Sequence, residues 1–405
     1  MLSSTIITLL ASAVLSGFAF SAEVAKSATE AGKHAASSLV LSPVPWQDGE
    51  ELQLSLKLGT GLDVGTLVYR ARASEVDGRK AWDLGSRVFS RVQSVSHALV
   101  SADDFRPIRS HWVHVLLGDV TATYGAGEVS LRTAGQKEPK VVKIEGPVYD
   151  NEEFIHLVRR LPLTVGYKTE IPVFSSLSGG GAVPVTVEVV GTEAVETTVA
   201  RQDCLKVELK PLNQLFWFSS DPTHTVCRFT GGGVTAELVS ISHRAPGESV
   251  HYKNDALGIN LTAPADWIIH FQDPDKEPNY STIFLLDPDA LADNCLLRLH
   301  AVSVLSDAEK KSPRAWAESR LAQLAKSTKN LKVRPESWRN VTVSGHPGVT
   351  FLAEYEEIEK PRLYRGVYAI GHGENAEEFS FTAEKGKFEQ LEPAFDSIVK
   401  TYQGK

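Results

Sequence analysis

Between Val199 and Ile241 the chain alternates short apolar-patterned runs with connections too brief to hold a helix, and this stretch constrains the fold most. Leu205, Val207 and Leu209 alternate with polar residues from Arg201 to Lys210. Gln214 to Phe218, Thr225 to Phe229 and Val234 to Ile241 follow, the last two introduced by Asp221-Pro222 and by three consecutive glycines. A period of two marks strands. Strands joined by a few residues pair antiparallel, because a parallel crossover needs a dozen residues or more. The stretch therefore predicts a β meander, and it carries no catalytic constellation.

The same period runs upstream. Leu52, Leu54, Leu56 and Leu58 alternate with Gln53, Ser55 and Lys57. A second run, Thr66 to Glu75, meets Asp77-Gly78, a dipeptide suited to a type I′ hairpin turn, and a third follows with Trp82, Leu84, Ser86 and Val88 on one face. Strand-like segments recur around 109–117, 120–124, 128–132, 141–144, 167–175 and 183–190. One helix interrupts them. Asp150 stands at the N-cap, Glu153 completes a capping box, and Ile155, Leu157, Val158 and Leu161 form the buried stripe before Pro162. So many sequential strands with one covering helix predict a mainly antiparallel β domain over 46–243, a curved sheet or partial barrel with a concave side.

The 405 residues exceed one ordinary core and suit two domains. Residues 244–256, with Pro246-Gly247 and mixed charges, read as a linker. An α+β sandwich over 257–403 is expected after it. Its signals are a hairpin of Gly258 to Leu261 with Trp267 to Phe271, and a helix from Ser312-Pro313 with Ala317, Leu321 and Leu324 inward. Strands near 333–338, 348–356, 364–371 and 378–383 follow, then a closing helix with Phe388, Leu391, Phe395, Ile398 and Tyr402 on one face.

Thr5 to Phe20 is apolar and uncharged, and Ala19-Phe20-Ser21 offers small residues where a signal peptidase reads. An export signal over 1–21 and a flexible tether over 22–45 are expected, with a periplasmic or extracellular destination. A retained anchor is the alternative, since no Lys or Arg precedes the apolar run. No later segment is long and apolar enough for a membrane span, so the mature chain is expected to have none. A net charge of −8 argues against non-specific nucleic-acid binding. Cys204 and Cys227 fall on the first and third strands of the meander, and two strand spacings put them roughly 9–10 Å apart. Small buried thiols are therefore expected in preference to a disulfide; Cys295 is the third cysteine.

Two family likenesses rest on these residues. From Glu50 to about Ile241 the chain resembles exported bacterial proteins grouped as a domain of unknown function. The matching features include Gly65, Phe105-Arg106-Pro107, Val148-Tyr149-Asp150, Leu161-Pro162-Leu163 with Gly166, Gln202-Asp203-Cys204, Trp217-Phe218 with Asp221, and Ala236-Glu237-Leu238. That resemblance implies an envelope-facing β-sheet protein and supplies no catalytic residue. From Asp255 to Tyr402 the chain resembles the PsbP-type α-β-α fold, known from an extrinsic subunit of photosystem II. The cues are Gly258-Ile259-Asn260-Leu261 with Pro264 and Trp267, the turn from Ser344 to Gly348, Phe379-Ser380-Phe381-Thr382, and Ser397-Ile398 in the closing helix. This second resemblance implies docking or assembly, not chemistry.

Candidate chemistry is sparse. His111 and His114 are three apart on a strand, which sends the imidazoles to opposite faces and predicts no shared metal. Ser178-Gly179-Gly180-Gly181 lacks both the Lys-Ser/Thr of a phosphate loop and the Gly-x-Ser-x-Gly of a nucleophile elbow, so it reads as a hairpin tip. Asp287, Asp289 and Asp293 lack the glycine and distal glutamate of a calcium loop and read as a solvated acidic loop. Asn260, Asn279 and Asn340 sit in Asn-x-Ser/Thr sequons, relevant only in a eukaryotic source. Trp217, Phe216, Phe218, Trp82 and Tyr69 are the candidate ligand surface, on the concave side of the sheet. No cofactor and no metal are expected. The function expected is non-enzymatic binding of an apolar ligand such as a lipid, or of an envelope protein partner. A hydrolase with a loop-assembled site, or a purely structural envelope component, is the alternative.

Overall fold

The computed structural model describes residues 39–89, 94–114, 118–176, 181–254, 259–265, 267–269, 283–286, 296–302, 305–357, 360–371 and 376–404. Two compact units meet in sequence after Ala245.

In the first unit the strands are β1 (Glu50–Leu58), β2 (Asp63–Val76), β3 (Arg79–Phe89), β4 (Ser94–Ser101), β5 (Pro107–His114), β6 (Gly118–Gly125), β7 (Glu128–Thr133) and β8 (Lys140–Lys143). After these come β9 (Tyr149–Asp150), helix α1 (Phe154–Arg159), β10 (Lys168–Phe174), β11 (Ala182–Glu196), β12 (Arg201–Lys210), β13 (Gln214–Ser219), β14 (Val226–Gly231) and β15 (Val234–His243). They form one 15-stranded sheet in which β1 to β8 run outward in order on one side and β15 to β9 on the other, joined where β1 pairs β15. The predicted meander is β12 to β15. Asp77-Gly78 turns β2 into β3 and Gly232-Gly233 turns β14 into β15, each with both residues at positive φ (51° and 75°, 56° and 87°), the backbone a type I′ turn requires. One pair is parallel, β9 with β10, and it is the pair whose connection contains α1.

Eleven places apart in that order, β5 and β9 nevertheless share hydrogen bonds through Ser110 and Asp150. The sheet must therefore curl until its far limbs meet. It does not close into a barrel, because β8 and β9 remain its two ends. Inside the curl, Leu52, Leu54, Leu56, Leu84, Val185, Val187, Val207 and Leu209 form one core with Ile155, Leu157 and Val158 of α1 and with Trp46. All six residues of α1 are buried. The helix starts four residues after Asp150. Of the expected capping box, the Glu153 carboxylate accepts from the Asp150 N–H at 3.1 Å, while the Asp150 carboxylate accepts from Glu152 N–H and so makes a turn there.

The second unit holds a two-stranded ladder, β16 (Val250–Asn254) with β17 (Ile259–Ala263), and a larger sheet. Residues 250–254, read from sequence as linker, are thus a strand, and Val250 and Tyr252 pack on the core beside β17. The expected pairing of Gly258 to Leu261 with Trp267 to Phe271 is not made. Ile268–Ile269 (β18) pairs instead with Ile283–Leu286 (β19). The large sheet continues through β20 (Leu296–Val302), with β21 (Lys329–Val333), β22 (Arg339–Val343), β23 (His346–Glu357), β24 (Lys360–Ile370) and β25 (Ala376–Glu384). Helices α2 (Pro313–Ser327) and α3 (Lys385–Thr401) cover opposite faces of it. On β24, Leu363, Val367 and Ala369 join Phe388, Phe395 and Ile398 of α3, whereas Tyr364 and Tyr368 join Trp316 and Ala317 of α2. Ser312 caps α2 by accepting from Ala315 N–H at 3.1 Å, with Pro313 next, as the sequence predicts. Among the described residues no helix is long and apolar enough to cross a membrane.

Candidate functional site

The five aromatic residues picked out in the sequence do not share one surface. Tyr69, Phe216 and Phe218 are buried in the inner core, with Trp82 packed at its margin. Phe216 stacks on Phe218 at 5.7 Å and tilts against Phe229 at 4.6 Å, and Trp82 meets Trp46 edge-on at 5.9 Å. Trp217, between two inward residues of one strand, points to the outer face, as a period of two demands. There it packs with Val195, Cys204 and Cys227, donates through Nε1 to Glu193 at 3.0 Å, and lies beneath Lys206 and Arg228.

Cys204 and Cys227 are free and buried. They contact one another across β13, and the Cys227 thiol also donates to Gln202 Oε1 at 2.9 Å; this contact and burial raise the Cys227 thiol far above its ordinary range. His111 hydrogen-bonds Asp119 at 2.8 Å, and among the described residues no three metal-ligating side chains gather. Cys295, His114's side chain, Asp287, Asp289, Asp293 and residues 177–180 lie outside the described residues, as do the expected export signal and Asn279.

What the inner face does hold is a set of buried ionisable groups around α1. Arg159 donates to Glu50 at 2.6 Å and to the carbonyls of His224 and Thr223 at 3.1 Å, tying the helix to β1 and to the turn before β14. At the other end of α1, Asp150 accepts from Ser110 Oγ at 2.5 Å and from the Tyr124 hydroxyl. Burial raises the Asp150 and Glu153 carboxyls, Glu153 well above its usual range, and pushes Glu152 up to about 7 with help from the Asp150 charge. His156, edge-on to Trp46 and Tyr69, is held well below its ordinary value by burial and by Arg159.

Beside this cluster a pocket of about 310 Å³ opens among Arg106, Pro107, Tyr124, Ile144, Pro147 and Val148. Arg106 lies over the Tyr149 ring, 4.3 Å from its centroid, and donates to the Val148 carbonyl at 3.5 Å. The sequence reading passed over this place. Its one available signal was an arginine set between Phe105 and Pro107, in a run otherwise suited to burial.

Comparison with known proteins gives a family of unknown biochemistry. Residues 53–239, somewhat less than half of the chain, match the model described as "Protein of unknown function (DUF3108)". No curated protein matches the sequence. Among solved structures, the cyanobacterial PsbP protein from Synechocystis aligns with a TM-score of 0.32 at 11% identity, over 41% of this chain and 98% of that one. LpqN of Mycobacterium tuberculosis, titled as involved in cell envelope biogenesis, gives 0.26 at 17%, over 40% and 86%. An exported protein of YmcC-like fold from Bacteroides fragilis gives 0.21 at 14%, over 50% and 100%.

Proposed function

We propose that this is an exported, non-enzymatic binding protein of the cell envelope, and that what it holds is a polypeptide partner in place of a lipid. The observation that carries this reading is the filled inner face. Phe216 and Phe218, the rings best placed to line an apolar ligand cavity, are 2% and 0% exposed and packed against protein. An apolar ligand would have to displace α1, and with it the Arg159–Glu50 pair. A hydrolase needs an acid or base open to a cleft. Here the Tyr124 hydroxyl, which faces the pocket, already donates to Asp150, and Glu153 and His156 are buried.

The test is mass spectrometry of the protein purified from its native envelope, with organic extracts and intact complexes measured from one sample. A polypeptide at constant stoichiometry and no extractable acyl chain is the expected result. One acyl-chain ligand per protein, surviving gel filtration, would overturn the reading.

A further inference from the structure

We propose that the pocket beside Arg106 is a carboxylate-binding site for a small aliphatic acid. The guanidinium makes one long hydrogen bond, to Val148 O at 3.5 Å, and stacks on Tyr149; among the described residues it forms no ion pair. An arginine held flat against a ring keeps its outer N–H fork aimed in a fixed direction, and that fork matches a carboxylate with two parallel hydrogen bonds. The two segments that build this corner, Phe105-Arg106-Pro107 and Val148-Tyr149-Asp150, are 42 residues apart between Arg106 and Val148 and are brought together by the curl of the sheet.

The rest of the lining sets the class of ligand. Pro107, Ile144, Pro147 and Val148 make apolar walls, so the body of the ligand is aliphatic. A single cation suits a monoanion better than a phosphate dianion. The nearest carboxylates do not occupy the fork. Asp104 accepts from the backbone N–H of Arg106 at 3.2 Å, Asp150 is taken by Ser110 and Tyr124, and Glu153 by the Asp150 N–H. A volume of about 310 Å³ stands at the small end of ligand pockets, roughly 300–1,000 Å³, which fits a short acid or the last residue of a polypeptide with its terminal carboxylate.

Calorimetric titration of the mature chain with N-acetylleucine, with N-acetylleucinamide, and with an acetylated tripeptide ending in leucine separates these cases. Both acids should bind and the amide should bind at least roughly tenfold more weakly, since a charge-assisted pair is lost. Tighter binding of the tripeptide assigns the site to chain termini and equal binding assigns it to free acids; both support the subsite. Arg106→Lys keeps the charge and loses the fork, so acid binding should weaken about tenfold with an unchanged unfolding midpoint, and Arg106→Gln should abolish it. Acid and amide binding equally, no binding by any probe up to roughly 20 mM, or a folded Arg106→Lys and Arg106→Gln pair that bind the acid like the parent would each overturn the assignment.

Discussion

The two units bury their helices by different means. In the first, α1 has six residues, too few to persist alone, and it is held inside the curled sheet by charge at one end and by buried carboxyls at the other. In the second, α3 has 17 residues and lays Phe388, Phe395 and Ile398 on the sheet, with Phe381 stacked on Phe395 at 5.2 Å. Its buried polar chain, Tyr364 to Tyr368 to Glu378, ends on Arg320, which is 30% exposed. Arg159 and Glu50 have side-chain exposures of only 1% and 8%. A short helix cannot supply enough apolar area, so directional bonds replace it, at the cost of desolvating ions.

Breaking the ion pair should therefore give the largest effect. Arg159→Ala strands a buried carboxylate and two carbonyls, and should cost about 3–5 kcal/mol in chemical unfolding of the first unit. Peptide-resolved hydrogen exchange should show α1 losing protection while α3 keeps its own. Arg159→Met combined with Glu50→Leu should restore most of the loss, because a well-packed apolar pair removes the desolvation cost. A loss below about 1 kcal/mol for Arg159→Ala would mean that α1 is held by packing, as α3 is, and the contrast would vanish.

Much of this architecture was legible in the residues because period-two patterning is local. Leu52 to Leu58, Asp77-Gly78 and the four strands from Arg201 to His243 are each settled by neighbours in sequence. Two things were not. The pairing of β1 with β15 joins residues some 180 positions apart, such as Lys57 and Glu237, and no local pattern encodes it. The candidate ligand surface placed 216, 217 and 218 together, although alternation sends the middle residue to the other face. Arg159 and Asp150 were hidden because a charged residue in sequence reads as exposed, and only the tertiary fold supplies Glu50 or Ser110 as its partner.

The contrast sharpens with pH. Burial pushes Glu152 in the first unit and Glu377 in the second up to about 7, from an ordinary 4.5. Between those values the folded chain holds a proton that the unfolded chain has released, so stability falls as pH rises, by up to about 1.4 kcal/mol per pH unit for each such carboxyl. Asp150 and Glu153 shift in the same direction and steepen the first unit's decline. His156 opposes them below 6.5, since its folded form stays neutral while the unfolded one takes up a proton. Urea unfolding across pH 4.5 to 7 should show both units weakening, the first more steeply toward pH 7, with Glu152→Gln flattening only the first and Glu377→Gln only the second. Equal slopes that neither substitution alters would remove the distinction between the two interiors.

The smallest effect is expected on the outer face of β13, and it isolates the two faces of one strand. Trp217 is 5% exposed, as buried by area as many inner residues, yet its polar edge bonds Glu193 and its ring carries Lys206 and Arg228. Trp217→Phe keeps an aromatic ring there and removes one hydrogen bond and part of the cation contact, so about 1 kcal/mol should be lost. Phe218→Ala, one residue on, empties a fully buried site and should cost about 3–5 kcal/mol. Comparing unfolding midpoints of the two variants tests whether the interior lies on one side only. If Trp217→Phe costs as much as Phe218→Ala, the outer cluster with Cys204 and Cys227 is a second core, and the sheet of the first unit is covered on both faces in the manner of the second.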